Sequence, residues 1–63
     1  MKPIAVKKDN SAEIFFDDWT EELILVTEQR REKIGKTDPI YSLILQVLFE
    51  SLDNPDDSPW ILC

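Results

Sequence analysis

The stretch DPIYSLILQVLFESLDN, residues 38–54, has the pattern of a helix with well-marked ends. Asp38 is a typical N-cap residue, because its carboxylate can accept hydrogen bonds from the free N–H groups of a first turn. Pro39 follows at the first helical position, where the missing N–H costs nothing. Asn54 precedes Pro55, and the residue before a proline is disfavoured in the helical region. The pattern predicts a helix over residues 39–53.

This predicted helix is apolar over most of its circumference. Its polar residues form one narrow stripe, made of Ser42, Gln46, Glu50 and Asp53. A surface helix normally shows an apolar arc of about 100° or a little more, so this helix has more apolar surface than one small partner element can cover. We therefore expect a homodimer or higher oligomer held together by Tyr41, Ile44, Leu45, Leu48, Phe49 and Leu52.

Residues 18–34 predict another helix before it. Asp18-Trp19-Thr20-Glu21 has the spacing of a capping box, with an acid three residues after the cap. Gly35 stands where a left-handed residue would end the helix, and the last turn carries bases that suit the helix dipole, namely Arg30, Arg31 and Lys33. The run Leu23–Val26 also fits a strand, but the caps favour a helix with an inner face of Trp19, Leu23, Val26 and Ile34.

The segments on either side complete the predicted architecture. Residues 3–16 alternate like two short strands around Asp9-Asn10, a pair typical of turns. The expected fold is mainly α: a helical hairpin with a short N-terminal β element over residues 3–16, in one domain covering residues 1–54, and homo-oligomeric. Residues 55–63 are expected to form an extended tail. Its apolar end either docks another protein or folds back over the protein's own oligomer: Trp60, Ile61 and Leu62.

Size and composition exclude several classes of protein. The chain has 63 residues, with 13 acidic and 7 basic side chains, a net charge of −6, one cysteine and no histidine. A common Cys/His zinc site and an internal disulfide are therefore excluded. No nucleophile, base or phosphate loop is recognisable, so the sequence predicts a non-enzymatic protein with no catalytic residues, cofactor or metal. It also predicts a cytoplasmic location without membrane contact.

The basic residues are few and unevenly distributed. Nucleic-acid affinity comes mainly from lysine and arginine on phosphates, so the acidic net charge disfavours DNA. A local patch could still contact nucleic acid or a protein partner through Lys7, Lys8, Arg30, Arg31 and Lys36. The alternative reading is that the bases before Gly35 only complement the end of a helix dipole.

The order strand, helix, glycine turn, helix resembles that of ribbon-helix-helix DNA-binding proteins, with residues 35–40 (GKTDPI) as the inter-helix turn. That resemblance implies an interlocked dimer with the last helix buried. Residues 30–52 also resemble plasmid conjugal-transfer accessory proteins of the TraM type, through the same turn followed by Leu43, Val47 and Leu52. This second resemblance implies an accessory protein that acts through protein contacts.

The sequence thus predicts a small interaction or regulatory module, plasmid- or phage-borne. It would associate with itself through the helix over residues 39–53 and dock a partner, plausibly a basic one, by its acidic surface. The alternative is a DNA-binding transcriptional regulator like the ribbon-helix-helix proteins, with the bases Lys7, Lys8, Arg30 and Arg31 on phosphates.

Overall fold

The computed structural model describes residues 2–63 and shows an antiparallel sheet with one helix on it. The elements are β1 (Ala5–Lys7), β2 (Ala12–Asp17), β3 (Glu22–Thr27), β4 (Arg31–Ile34), α1 (Pro39–Asp53) and β5 (Trp60–Leu62). The strands lie in the order β4-β3-β2-β1-β5, and all paired neighbours are antiparallel. The prediction of a mainly α helical hairpin is therefore wrong.

The first hairpin joins β1 and β2 at the predicted turn. Asn10 has a φ of 63°, in the left-handed region that asparagine tolerates. The carboxylate of Asp9 accepts hydrogen bonds from the backbone N–H of Ser11, at 2.9 Å, and from the Ser11 hydroxyl. These bonds to the Ser11 side chain and backbone hold the pKa of Asp9 below its usual value. The N-terminal β element that the sequence predicts is thus part of the sheet.

The predicted helix over residues 18–34 is instead the hairpin of β3 and β4 with the turn that precedes it. The Asp17 carboxylate accepts hydrogen bonds from the N–H groups of Trp19 and Thr20, at 3.0 and 3.4 Å. Glu21 then takes a φ of 59°, which turns the chain into β3. An acid that accepts N–H groups two and three residues ahead serves a hairpin turn as well as a helix N-terminus. The predicted capping box from Asp18 to Glu21 is therefore wrong, because Asp17 accepts the hydrogen bonds and does so in a turn between two strands.

The β3–β4 connection is tight and contains no glycine, proline or asparagine. The N–H of Thr27 donates to the carbonyl of Arg30 at 2.8 Å, so the chain reverses at Glu28-Gln29. Gly35, the one glycine in the sequence, does not have the predicted left-handed conformation, because its φ is not positive. Its carbonyl accepts the N–H of Asp38 at 3.0 Å, in a turn that leads from β4 into α1.

Helix α1 begins and ends at the residues that the sequence predicts. Asp38 caps it by accepting the N–H of Ile40 at 3.0 Å, and Pro39 occupies the first turn. One side of α1 packs on the sheet. The buried core contains one residue from each of the first four strands, Ala5, Ile14, Leu23 and Ile34, and α1 adds Tyr41, Ile44, Leu45 and Leu48.

The predicted tail is partly a strand. Residues 60–62 pair with β1, so that Val6 lies opposite Ile61. The buried Ser51 near the end of α1 donates its hydroxyl to the carbonyl of Val47 at 2.9 Å and is hydrogen-bonded to Ser58. These bonds fix the connection between α1 and β5. Because α1 lies on one face, the opposite face of the sheet has no covering helix in residues 2–63.

Candidate functional site

The six side chains predicted to mediate self-association fall into two groups in the structure. Four of them pack against the protein's own sheet and are only partly exposed: Tyr41, Ile44, Leu45 and Leu48. The other two remain accessible, with Phe49 63% and Leu52 64% exposed. The sheet, which the sequence analysis did not predict, therefore covers most of the surface expected to hold a dimer. Of the six residues, Phe49 and Leu52 remain accessible to a second molecule.

Phe49 and Leu52, three residues apart on α1, form what we call the 49–52 flank, and Leu52 lies beside β5. A groove of about 260 Å³ runs between this flank and β5, lined by Lys8, Ser51, Leu52, Pro55, Trp60, Ile61 and Leu62. The groove therefore joins the helix to the outer edge of the sheet. Its largely apolar lining and its position at an edge make it a candidate contact surface.

A second apolar flank lies on the other side of α1, where the sequence analysis named no site residue. Ile40, Leu43 and Val47 recur at helical spacing, and all three side chains are exposed. A depression of about 140 Å³ between this 40–47 flank and the sheet is lined by Ile14, Leu43, Ile44, Val47 and Trp60. The signal that could have revealed the flank is its position on the helix, between the polar stripe and the packed side.

Trp19 is a further exposed residue that the sequence analysis placed in the core. Its side chain is 92% exposed at the turn between β2 and β3. The expected position of Trp19 on the inner face of a helix is wrong, because the hairpin turn carries the side chain outward. Large aromatic side chains are enriched among the residues that dominate protein interfaces, so this turn is a second accessible contact point.

The three residues of the predicted docking tail have different environments. Trp60 and Leu62 are half-buried and pack against the core, whereas Ile61 faces the other side of the sheet and is 53% exposed. The sequence left two alternatives for this tail, docking to another protein or folding back over an oligomer. In the structure the tail folds back and pairs with β1 of its own chain. Only Ile61 presents a large exposed side chain from this strand.

The five basic residues proposed for nucleic-acid or partner contact do not form one patch. Lys7 and Lys8 are near the β1–β2 turn, and Arg30 and Arg31 are near the β3–β4 turn, two strands away. Lys8 donates to the carbonyl of Pro55 at 3.1 Å, and Arg30 forms an ion pair with Glu32. A surface built from all five residues is therefore not formed.

Lys36 lies at the opposite end of the sheet, beside the β2–β3 turn. Its ammonium group is hydrogen-bonded to the Glu21 carboxylate, and this bond with the added attraction of the charge raises the pKa of Lys36 above its usual value. Because the pKa of Lys36 is higher in the folded than in the unfolded chain, the pair stabilises the fold fully at pH values below the unfolded-chain pKa. This contribution is lost as the pH rises through the pKa of Lys36 in the folded chain.

Glu21→Gln is expected to bring the pKa of Lys36 back down toward its usual value, because the substitution removes the carboxylate charge. The measurement is a titration of the lysine side-chain signals by NMR between neutral and strongly alkaline pH. Glu22→Gln is the matched control, since it removes a neighbouring charge that does not bond Lys36. An equal shift in both variants would contradict the specific pair.

An acidic depression lies beside the C-terminal end of α1. It has a volume of about 410 Å³ and is lined by Val47, Glu50, Asn54, Asp57, Ser58 and Pro59. The last turn of α1 contains no basic residue, so the negative end of the helix dipole adds to the carboxylate charges. Docking of a basic partner on the acidic surface stays a prediction.

Within residues 2–63, no group of three or more His, Cys, Asp or Glu side chains could hold a metal ion. No helix within residues 2–63 combines the length and the apolarity needed to cross a lipid bilayer. No protein-family model matches the sequence, and it has no significant match to a curated protein or to a solved structure.

Proposed function

We propose that this protein is a small, non-enzymatic interaction module that acts in the cytoplasm and associates with a second copy of itself. Self-association is retained from the sequence analysis, but of the six residues assigned to it only Phe49 and Leu52 belong to the proposed contact. The contact surface comprises the 49–52 flank and the adjoining β5, rather than the side of α1 that packs on the sheet.

The observation that carries the proposal is the amount of apolar side chain left exposed in so small a chain. Phe49 is 63%, Leu52 64% and Ile61 53% exposed, and Leu52 and Ile61 line the same groove beside β5. Single exposed apolar residues are ordinary, whereas clustered ones mark sites of interaction. A chain of this size also has a small core and benefits from association.

A DNA-binding role is less well supported. The helix over residues 18–34 that a ribbon-helix-helix arrangement needs is a β-hairpin. The bases proposed to contact phosphates are separated along the sheet, and Arg30 is paired with Glu32. We therefore propose contacts with protein rather than with nucleic acid.

The test is the native mass measured by light scattering over a wide range of concentrations. We expect a dimer or a larger assembly that dissociates on dilution. Leu52→Asp should weaken this association at least about tenfold, because it places a charge in an apolar contact twice, once from each copy. Ser42→Asp, on the polar stripe of the same helix, is the matched control and should leave the mass unchanged. A monomer at every concentration would refute the proposal.

A further inference from the structure

The two edges of the sheet differ sharply in their protection against pairing with another strand. The β4 edge carries Arg31, Glu32 and Lys33 among its residues, whereas β5 is Trp60-Ile61-Leu62 and carries no charge. Charged side chains on an edge strand are a common device that prevents edge-to-edge association. One edge is therefore guarded by charge and the other is not.

The hydrogen-bonding groups of β5 that remain free follow from its bonds to β1. The carbonyl of Pro59 accepts the N–H of Lys8 at 2.8 Å, and the N–H of Cys63 donates to the carbonyl of Ile4 at 3.0 Å. Because backbone groups alternate along a strand, those of residues 59, 61 and 63 face β1. The groups of Trp60 and Leu62 consequently face outward, although the Trp60 N–H donates to the Ser58 hydroxyl at 3.1 Å.

We propose that β5 pairs antiparallel with β5 of a second copy, around a two-fold axis that passes between the two Ile61 residues. In this register, Leu62 of each copy donates its N–H to the Trp60 carbonyl of the other. The two five-stranded sheets then become one continuous sheet. This inference rests on the proposed self-association and specifies its geometry.

Strand pairing alone would give a small interface, because β5 has three residues. A specific interface of standard size buries about 800 Å² on each partner. The groove beside β5 supplies the additional apolar surface: Leu52 lies on its helix side, and Ile61 projects from the opposite face of the sheet. The contact would thus combine backbone hydrogen bonds with side-chain burial on both sides.

A second copy is the occupant that the edge fits best. The free donor of Leu62 and the free acceptor of Trp60 are two residues apart, so the pattern is its own complement about a two-fold axis. A closed, two-fold contact also uses up both unprotected edges and leaves the charged β4 edges at the ends of the joined sheet. No further partner is needed to complete it.

A cross-linking experiment tests the axis. In a non-hydrogen-bonded antiparallel pair the Cα atoms are about 4.5 Å apart, a separation that a disulfide can span. Ile61→Cys combined with Cys63→Ser should therefore form a disulfide-linked dimer on mild oxidation. Leu43→Cys with the same Cys63→Ser change is the control, because Leu43 is similarly exposed but belongs to α1, on the face of the sheet opposite to Ile61. We expect cross-linking at position 61 at least tenfold faster than at position 43.

A second pair of variants tests the backbone bonds. Leu62→Pro removes the outward N–H but no bond to β1, whereas Leu62→Ala shortens the side chain and keeps the N–H. The loss of two equivalent hydrogen bonds should raise the dimer dissociation constant of Leu62→Pro by roughly tenfold to a hundredfold relative to Leu62→Ala. Circular dichroism and thermal unfolding test whether each variant keeps the sheet.

The outcomes separate this inference from the proposed function. A dimer that cross-links through position 61 and is weakened specifically by Leu62→Pro supports both. A dimer that cross-links equally at positions 43 and 61 overturns the β5 pairing while self-association stands. A wild-type chain that remains monomeric at all concentrations overturns both. Should Leu62→Pro fail to fold, the cross-linking comparison decides by itself, because both of its positions are exposed in the folded chain.

Discussion

Leu48→Asp is expected to unfold the protein rather than to dissociate an oligomer. Leu48 packs from α1 onto the core formed by Ile14 and Leu23 of the sheet. A carboxylate at this position would be removed from water with no partner to compensate it, which costs several kcal/mol. A single core of this size supplies only about 3–5 kcal/mol, so the substitution should consume nearly all of the stability. Far-UV circular dichroism and thermal unfolding measure the effect.

Phe49→Asp is the matched control for Leu48→Asp. The two residues are adjacent in α1, but Phe49 is 63% exposed. We expect this variant to keep the folded spectrum and to change the free energy of unfolding by no more than about 1 kcal/mol. Equal unfolding of both variants, or a folded Leu48→Asp variant of altered native mass, would contradict the packing of α1 on the sheet.

Leu23→Ala is expected to lower the free energy of unfolding by about 3 kcal/mol. The side chain is 1% exposed and lies between Phe16 and Ile34 on neighbouring strands, on the face that α1 covers. Removing it forfeits the burial of the side chain and leaves a cavity that the rigid hairpins cannot close, and such changes cost 2–5 kcal/mol. Urea unfolding measured by tryptophan fluorescence gives the value.

Leu52→Ala provides the comparison at an exposed position, since Leu52 is 64% exposed in the single chain. At a concentration where the chain is monomeric, it should cost less than about 1 kcal/mol. The helix predicted from the sequence also placed Leu23 inside, so the size of the effect alone does not distinguish helix from strand. Backbone NOEs of Leu23 to Phe16 and Ile34, its partners on β2 and β4, do so, because a helix would not bring these residues together.

The segment over residues 39–53 could be predicted because its signals are local and consistent. The cap at Asp38, the proline after it and the Asn-Pro pair at its end all point to the same element. The turn at Asp9-Asn10 was predictable for the same reason. In both cases the residues that determine the structure are neighbours in the chain.

The error over residues 18–34 arose where local chemistry permits two structures. Asp17 accepts hydrogen bonds from two N–H groups ahead of it, as a helix cap would, and Glu21 rather than glycine adopts the left-handed conformation. Glu28-Gln29 carries no turn residue, so the reversal between β3 and β4 has no sequence signal. The strand conformation of Leu23–Val26 is selected by pairing with β2, a non-local interaction that cannot be read from the segment itself.

The candidate site was predictable only in part, because it depends on what the sheet covers. A helix with excess apolar surface was evident, but the packed side could be identified only once its partner was known. The sheet covers Tyr41, Ile44, Leu45 and Leu48 and leaves Phe49 and Leu52 exposed. The edge at β5 could not be anticipated, because it arises when residues 60–62 pair with β1, from the other end of the described chain.

The pairing of β1 with β5 also determines when folding can finish. It joins residues 5–7 to residues 60–62, whereas the hairpins of β2, β3 and β4 connect near neighbours. Closing so long a loop costs more entropy than closing a short one, and contacts distant in sequence slow folding. On the ribosome the three-stranded meander can therefore assemble early. The sheet is completed, and the uncharged edge created, only after residues 60–62 have been synthesised, so pairing through that edge cannot precede completion of the sheet.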